Sequence, residues 1–217
     1  DVDLTIHLAD EIVTAVRLHT QGSALRHILH SSQPRSRQTI TSMLFAYPRI
    51  KIYSPSKAVI IPKVFPRTVQ IREFVETDME QVFNLACSVF DEQYRPEVFL
   101  YFHSVWPQGQ LVVQSPEGRI LGFIFGAMPE EGRCRVMLVA VTPMMRGLGI
   151  GARMLREFEA RATLIGCKAI SLELRYSKTR LLDFYRRMGF VVEGVLPNYY
   201  SNGEDGILMS KPVQWNI

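Results

Sequence analysis

The 217-residue sequence has no uninterrupted apolar stretch long enough to span a bilayer. Its first residues, Asp1-Val2-Asp3, are acidic, whereas a leader peptide has a basic segment before an apolar one. Lysine and arginine form no dense tract, and the formal net charge of +4 is mild, so the composition gives no reason to expect binding to nucleic acid. We therefore predict a cytoplasmic protein that binds neither membrane nor nucleic acid.

Cysteine is scarce, and its three positions, Cys87, Cys134 and Cys167, are widely spaced and flanked by apolar residues. An odd number at such spacing predicts buried free thiols in a reducing compartment, and it argues against a disulfide framework or a zinc site. His27 and His30 lie three residues apart on one predicted helix, but no carboxylate or cysteine stands at a matching distance. We expect surface histidines there and no bound metal.

The first 66 residues differ in pattern from the rest of the chain. Apolar residues recur at helical spacing up to a polar stretch at residues 31–36, and short β-type runs broken by prolines follow. We interpret residues 1–66 as an extension that regulates, dimerises or covers a single domain, and the pattern does not choose among these roles. The domain itself is predicted over residues 67–217.

From residue 68 onward the sequence alternates between strand and helix patterns. A capping box, Thr77-Asp78-Met79-Glu80, precedes the first helix, and Pro96 suits the first turn of the second. A turn with proline early and glycine late, Ser115-Pro116-Glu117-Gly118, predicts an antiparallel hairpin. Further strands are predicted at 134–141, 169–175, 191–196 and 206–209, with helices running to about residue 166 and to the C-cap Gly189.

The centre of the chain is an apolar strand that breaks into a glycine-rich turn and then becomes a helix, over residues 139–152. Gly147, Gly149 and Gly151 allow a sharp turn and the close approach of a ligand to backbone N–H groups. Unpaired amides at the start of a helix, together with Arg146, favour a phosphate or pyrophosphate. The glycines fit neither the dinucleotide fingerprint nor a P-loop, so the turn by itself predicts an anion site of unspecified kind.

Four segments together resemble the GNAT superfamily of acetyltransferases. The turn follows the family's Gln/Arg-x-x-Gly-x-Gly/Ala pattern after a strand ending in Val-x-Pro, and it is joined by Leu172-Glu173-Leu174-Arg175 and by the helical segment 184–190. The stretch 198–209, with its double tyrosine and Gly-Glu-Asp-Gly, is similar to protein Nα-acetyltransferases of the RimI and Ard1 types. The resemblance implies an α/β fold of the α+β kind, in which helices flank a central mixed, mostly antiparallel sheet.

The same resemblance implies transfer of acetyl from acetyl-CoA to the α-amino group of protein N-termini, by direct attack in a ternary complex. An α-amino group has an ordinary pKa of about 8, so a modest base, acting directly or through water, is sufficient. Glu173 is the base that the resemblance implies, and Glu92 is a second candidate that the sequence does not distinguish from it. The alternative without catalysis is that Glu173 is solvated or pairs with Arg175.

Tyr185 matches the family tyrosine that faces the cofactor sulfur and protonates or hydrogen-bonds the departing thiolate, and its alternative is a packed side chain with a wet hydroxyl. Backbone groups of residues 139–141 are expected to hold the pantetheine arm and to polarise the thioester oxygen. Where relatives have asparagine, this chain has Lys178, which either meets a phosphate or makes no such contact. The implied cofactor-binding residues are Val139, Ala140, Val141, Arg146, Gly147, Leu148, Gly149, Ile150, Gly151, Ala152 and Lys178.

Two aromatic loops are implied to flank the substrate N-terminus, because aromatic side chains provide apolar walls and hydroxyls that hold a peptide backbone. One loop contains Phe90 and Tyr94, and the other contains Tyr199 and Tyr200, for which strand-edge packing is the alternative. A protein or peptide N-terminus is thus the expected partner, and the sequence gives no prediction of oligomeric state. The competing functions are acetylation of lysine or of small amines, and acyl-CoA binding by a regulatory module without catalysis.

Overall fold

The structure is a computed structural model, and it describes residues 69–90, 94–130 and 132–213. The predictions for residues 1–66, including those for His27 and His30, and the prediction for Glu92 lie outside the described residues. In the described part of the chain, no helix has the length and apolar character that a membrane crossing requires.

Seven strands and four α-helices are present in the described ranges. The strands are β1 (Gln70–Glu73), β2 (Gln110–Gln114), β3 (Ile120–Glu130), β4 (Arg133–Val141), β5 (Ala169–Arg175), β6 (Val191–Leu196) and β7 (Gly206–Pro212). The helices are α1 (Met79–Val89), α2 (Pro96–Val105), α3 (Ile150–Leu164) and α4 (Thr179–Arg187). Each lies where the sequence pattern predicts one, although β7 continues to Pro212, past its predicted end at residue 209.

The strands form one sheet in the order β1-β2-β3-β4-β5-β7-β6. Neighbouring strands are antiparallel except for β4 and β5, which run parallel. A parallel pair needs a long crossover connection, and α3 provides it between β4 and β5. This arrangement confirms the predicted mixed, mostly antiparallel sheet with flanking helices.

The parallel pairing of β4 with β5 is short. It covers three residues on each strand and ends where Arg135 lies opposite Ser171. Both strands continue beyond this point, to Val141 and to Arg175, without pairing with each other. Their carboxyl ends therefore border a gap. Because α3 and α4 follow those two ends along the chain, the gap has the position at which open α/β sheets bind ligands.

The two faces of the sheet have different coverings. Side chains of β3 alternate between the faces, and on one face they join a cluster of aromatic rings whose neighbouring centroids are 5.2 to 6.2 Å apart. On the other face Gly126 leaves room for α3, because a Cβ there would lie 2.3 Å from the ring of Phe158. The helix after the glycine turn thus packs against the face opposite the aromatic cluster. The cluster comprises Phe74, Phe90, Tyr94, Phe99, Phe123 and Phe125.

The predicted capping box before α1 is wrong in detail. Asp78 caps one turn earlier, because its carboxylate accepts the N–H of Val75 at 3.0 Å at the start of a short 3-10 turn over Glu76–Asp78. The same carboxylate accepts two hydrogen bonds from Arg72, at 2.6 and 2.8 Å. Burial alone would raise the pKa of Asp78, but the hydrogen bonds from Arg72 and Val75 hold it below its ordinary value.

Two of the three cysteines are paired. Cys134, on β4, and Cys167, just before β5, form a disulfide with their Cα atoms 6.2 Å apart. Cys87 is exposed, so the prediction of buried free thiols is wrong for all three. The pair meets because β4 and β5 run parallel at this level, a register that a spacing of 33 residues does not reveal. The inference of a reducing compartment, which depended on the absence of a disulfide, loses its basis.

Candidate active site

The turn after β4 uses two glycines in a conformation that other residues rarely adopt. Gly147 and Gly149 have φ angles of +72° and +79°, in the left-handed region that a Cβ disfavours. Apart from the glycine itself and its neighbours along the chain, no atom of the described residues lies within 4 Å of the point where a Cβ would stand on Gly147 or Gly149. Backbone conformation, and not crowding, therefore requires these glycines, and they leave the turn open on that side.

Helix α3 begins at this open turn. Gly149 is its N-cap residue and has no side chain with which to cap it, so the first N–H groups of the helix, at residues 150–152, have no acceptor within the helix. The aligned peptide dipoles of its 15 residues add partial positive charge at the same place. Arg146 lies beside the turn, where its Nε donates to the carbonyl oxygen of Val141 at 3.1 Å. These donors suit a phosphate or diphosphate group.

The second half of β4 supplies backbone groups at the edge of the gap. Val139, Ala140 and Val141 are buried, and β3 pairs with them on one side. On the other side the pairing with β5 has already ended, so peptide groups that point that way take no part in the sheet. The side chains of these three residues fill the core, and their backbone groups are what the strand offers to a ligand.

Two further predicted cofactor residues flank the same end of the sheet. Leu148 is exposed within the glycine turn. Lys178 is half-buried and is the N-cap residue of α4, which has no side-chain cap hydrogen bond. Both helices that follow the diverging strands therefore begin without a side-chain cap.

Glu173, on β5 beyond the last paired position, is buried, with 4% of its surface exposed. Its Oε2 accepts a hydrogen bond from Nε of Arg135 at 2.8 Å. Solvation of Glu173 is therefore wrong as an alternative, and its partner in the structure is Arg135, whereas Arg175 pairs with Glu204. The contact follows from the sheet, since Arg135 lies opposite Ser171 and Glu173 is two residues further along the same face.

Arg135 also reaches the β6–β7 loop, residues 197–205. Its Nη2 donates to the hydroxyl of Tyr199 at 2.7 Å. One guanidinium thus bridges the Glu173 carboxylate and the Tyr199 hydroxyl through two different nitrogen atoms. The sequence patterns do not identify Arg135, because it is 38 residues from Glu173 and 64 from Tyr199 and belongs to no local motif.

A second arginine holds the same loop. The guanidinium carbon of Arg175 lies 4.2 Å from the ring centroid of the buried Tyr200, as in a cation–π contact. Its Nη1 also donates to Asn202 and Glu204, each at 3.0 Å. Burial alone would raise the pKa of Glu204, but hydrogen bonds from the hydroxyl and N–H of Ser177 and from Arg175 lower it to about 2. Glu204 is therefore a carboxylate at physiological pH, and ionic contacts fasten the loop to the end of β5.

Tyr185 is buried on α4, with 1% of its surface exposed. Its ring packs edge to face against Phe184 and Phe190, with centroids 5.1 and 5.5 Å away. Burial raises the pKa of the hydroxyl above its ordinary value, and the hydroxyl has no hydrogen-bond partner among the described residues. The alternative of a wet hydroxyl is therefore wrong, and Tyr185 holds an unused donor in the interior.

Phe90 and Tyr94 belong to the aromatic cluster, with ring centroids 5.2 Å apart. The register places this cluster and Arg135 on one face of the sheet, because Phe125 and Ala127 share a face of β3 and Ala127 pairs with Arg135. The predicted substrate-side residues therefore lie on the same face as Arg135 and the carboxylate that it binds. Helix α3, which begins at the glycine turn, packs on the opposite face.

A comparison with known protein families identifies this arrangement. Residues 78–190, more than half of the chain, match the acetyltransferase (GNAT) family. The chain belongs to the GNAT acetyltransferase family. The resemblance read from the four sequence segments is thus confirmed. As a GNAT enzyme the protein is an acyltransferase, and acetyl-CoA is its acetyl donor.

Similar proteins agree with the assignment to the GNAT family. An uncharacterized N-acetyltransferase of Methanocaldococcus jannaschii is 36% identical over 142 residues, which make up 65% of this chain and 90% of that protein. The catalytic subunit ard1 of the N-terminal acetyltransferase A complex of Schizosaccharomyces pombe is 29% identical over 150 residues, covering 66% of this chain and 85% of that one. The crystal structure of Ard1 from Thermoplasma volcanium has a TM-score of 0.65 and 30% identity, over 68% of this chain and 99% of that chain.

The glycine turn of this GNAT chain fits the diphosphate of coenzyme A. An anion of that size needs several N–H donors that it can approach closely. The space where a Cβ would stand on Gly147 and Gly149 is open, and the first N–H groups of α3 lie next to it without a side-chain cap. The residues present therefore suit the expected donor.

Proposed function

We propose that this GNAT enzyme transfers acetyl from acetyl-CoA to the α-amino group of protein N-termini, by direct attack in a ternary complex. Two similar proteins support this choice among amine substrates: the S. pombe relative is the catalytic subunit of an N-terminal acetyltransferase complex, and the T. volcanium structure is Ard1. The observation that carries the proposal is the Arg135 bridge, because it joins a buried carboxylate to a tyrosine of the β6–β7 loop. One guanidinium thereby contacts both the base candidate and an aromatic residue proposed to flank the substrate.

On the donor side, we assign residues 146–152 to the coenzyme A diphosphate, with their N–H groups and the charge of Arg146 as the binding groups. Backbone groups of residues 139–141 hold the pantetheine arm and polarise the thioester oxygen. Lys178, at the start of α4, adds a positive charge toward a phosphate. Bound acetyl-CoA supplies the activated acetyl thioester.

On the acceptor side, we assign Phe90, Tyr94, Tyr199 and Tyr200 to the walls around the first residues of the substrate. The rings of Phe90 and Tyr94 pack edge to face at 5.2 Å, and those of Tyr199 and Tyr200 at 5.1 Å. Tyr199 is half-buried and the other three side chains are buried, so Tyr199 is the member of the set that is open to contact. Aromatic side chains bind a peptide backbone through apolar contact and through hydroxyl groups.

Glu173 removes the proton that prevents attack. An α-amino group is mostly protonated at neutral pH, and the Glu173 carboxylate accepts its proton directly or through water. The ion pair with Arg135 favours the charged carboxylate, which is the form that accepts a proton. Glu92, outside the described residues, remains the second candidate for this role.

Tyr185 assists the departure of sulfur. As the C–N bond forms and the C–S bond breaks, negative charge develops on the leaving sulfur, and a hydroxyl donor without a partner stabilises it. The raised pKa of Tyr185 favours donation of a hydrogen bond over complete transfer of its proton.

The proposed function is tested with the full chain, acetyl-CoA and peptides that differ in their first residue, followed by mass spectrometry that locates the acetyl group. The control peptides carry a blocked α-amino group and an internal lysine, and a small polyamine is tested beside them. We expect acetylation at free α-amino groups. Acetylation confined to lysine side chains or to the small amine would overturn the proposal and would select the corresponding competing function.

A further inference from the structure

Arg135 connects two elements that the sheet alone leaves separate. It occupies the last paired position of β4 with β5, on the face that carries the substrate-side residues. Its Nε lies 2.8 Å from Oε2 of Glu173, and its Nη2 lies 2.7 Å from the hydroxyl of Tyr199. Both distances are those of charge-assisted hydrogen bonds. A strand carboxylate and a loop hydroxyl therefore share one donor group.

The chemistry of this bridge calls for arginine. A guanidinium is planar and presents its N–H groups in a rigid fork, whereas a lysine ammonium is a single compact charge on a flexible stem. When two acceptors bind different nitrogen atoms of one planar guanidinium, the geometry of that group fixes their distance and direction relative to each other. Arg135 thus constrains the position of the Glu173 carboxylate relative to the Tyr199 hydroxyl.

Burial gives the bridge an electrostatic effect as well. The exposed fraction is 6% for the Glu173 side chain and 18% for that of Arg135. A carboxylate removed from water stays ionised when a cation pairs with it. Without the guanidinium, Glu173 would take up a proton more readily, and a protonated carboxyl group is no longer a base.

We propose that Arg135 is a positioning residue for acetyl transfer: it keeps the Glu173 carboxylate ionised and oriented, and through Tyr199 it holds the β6–β7 loop in place beside that carboxylate. The inference rests on the proposed function, in which Glu173 is the base and the loop flanks the substrate. Arg175 holds the same loop through Tyr200 and Glu204, so the loop keeps these contacts when Arg135 is replaced. The effect of losing the Arg135–Glu173 contact can therefore be measured separately from the effect of losing the loop contact.

The test compares R135M, R135K and Y199F with the matched control R133M. Arg133 lies two residues earlier on the same strand and face, and it pairs with Glu193, which is about as exposed as Arg133 itself. Each full-length variant is assayed for kcat, for the KM of peptide and of acetyl-CoA, and for the pH dependence of kcat/KM. Thermal unfolding of the same samples gives the folded fraction.

In R135M we expect kcat/KM for the peptide to fall about 10- to 100-fold, the equivalent of one hydrogen bond to a charged group. We also expect the acidic limb of its pH profile to move to higher pH, because the carboxylate has lost its cation. In R135K the acidic limb of the pH profile should return to its wild-type position, because lysine restores the positive charge. The rate should stay below that of the wild type, because lysine lacks the planar, forked donors of a guanidinium. Y199F should raise the peptide KM and leave the limb in place, and R133M should match the wild type.

The proposal is overturned if R135M keeps the wild-type pH profile, or if its loss of rate equals its loss of folded protein. If R135M does not fold, R135K decides, because wild-type kcat/KM in that variant would contradict any need for the fork. Failure of the proposed function looks different, since the wild-type enzyme would then leave peptide N-termini unmodified. The same variants are in that case compared on the amine that the wild type does acetylate.

Discussion

The two sides of the gap between β4 and β5 differ in the chemical groups that they present, backbone groups on one side and side chains on the other. On the proposed donor side, the glycine turn and the start of α3 present backbone N–H groups, and glycine leaves the turn free of side chains. On the proposed acceptor side, Glu173, Arg135 and Tyr199 present side-chain groups that come from three separate segments. The difference teaches that a backbone site is encoded by contiguous residues, whereas a side-chain site of this kind is encoded by strand register.

Glu173→Gln should break the acceptor side most severely. Glutamine retains the volume of Glu173 and an oxygen for Arg135, but it has no charge and cannot act as a base. We expect kcat/KM for peptide to fall by about 10²- to 10⁴-fold, the range for general acid–base catalysis, with an unchanged KM for acetyl-CoA in steady-state assays. Glu193→Gln removes another arginine-paired strand carboxylate and should keep the wild-type rate. A full rate in the Glu173 variant would assign the base to Glu92.

Tyr185→Phe should affect rate and stability in opposite directions. Without the hydroxyl, the leaving sulfur loses a donor, and we expect kcat to fall by about 10- to 100-fold. The free energy of unfolding should rise by about 1 to 3 kcal/mol, because a buried hydroxyl without a partner costs that much. Stopped assays and thermal unfolding measure the two effects, with the exposed Tyr101→Phe as control. Higher stability at an unchanged rate would mean that Tyr185 only packs.

Gly149→Ala should weaken the donor side without touching the acceptor side. Alanine at a φ of +79° is strained by about 1 to 2 kcal/mol, so the turn relaxes and its N–H groups move. We expect the KM for acetyl-CoA to rise about tenfold, as 1.4 kcal/mol of lost binding would give, while the peptide KM stays the same. Gly194→Ala is the matched control, since that glycine also has open space around its Cβ position but no positive φ. Equal effects of both substitutions would contradict a backbone-built site.

Glu204→Gln should produce the smallest effect, on stability at acidic pH. The folded-state pKa of Glu204 is about 2, below the ordinary 4.5, so the ionised carboxylate stabilises the fold above pH 4.5. That contribution is lost as the pH falls from about 4.5 to about 2. Denaturant unfolding at stepped pH should show a steeper loss in the wild type than in the variant over this interval, and a constant difference above it. Parallel curves would mean that the loop is held without Glu204.

The proposed donor side can be read from the sequence because the features that define it are local. The order Arg146-Gly147-Leu148-Gly149 lies between an apolar strand and a helical pattern, and all of these features fall within a few residues of one another. The same holds for β5, whose predicted bounds of 169–175 are those of the structure, because its apolar alternation is regular.

For the proposed acceptor side, the sequence names candidate residues but not the contacts between them. Glu173 and Tyr199 are among these candidates, whereas the arginine that joins them is not, because Arg135 becomes their neighbour only through a parallel pairing of three residues. The pairing of Cys134 with Cys167 was missed for the same reason. A pairing of three residues cannot be recognised from the spacing of apolar residues in the sequence, because its register depends on how α3 connects β4 to β5.

The disulfide has a mechanical consequence for the gap. It ties β4 to the segment entering β5 one residue before Arg135, at the closed end of the gap. The disulfide limits separation of the two strands at this end, so a widening of the gap would displace Val141 and Arg175, at the open end, more than Cys134. Arg135 would then move little, and its guanidinium would keep its contacts with Glu173 and Tyr199.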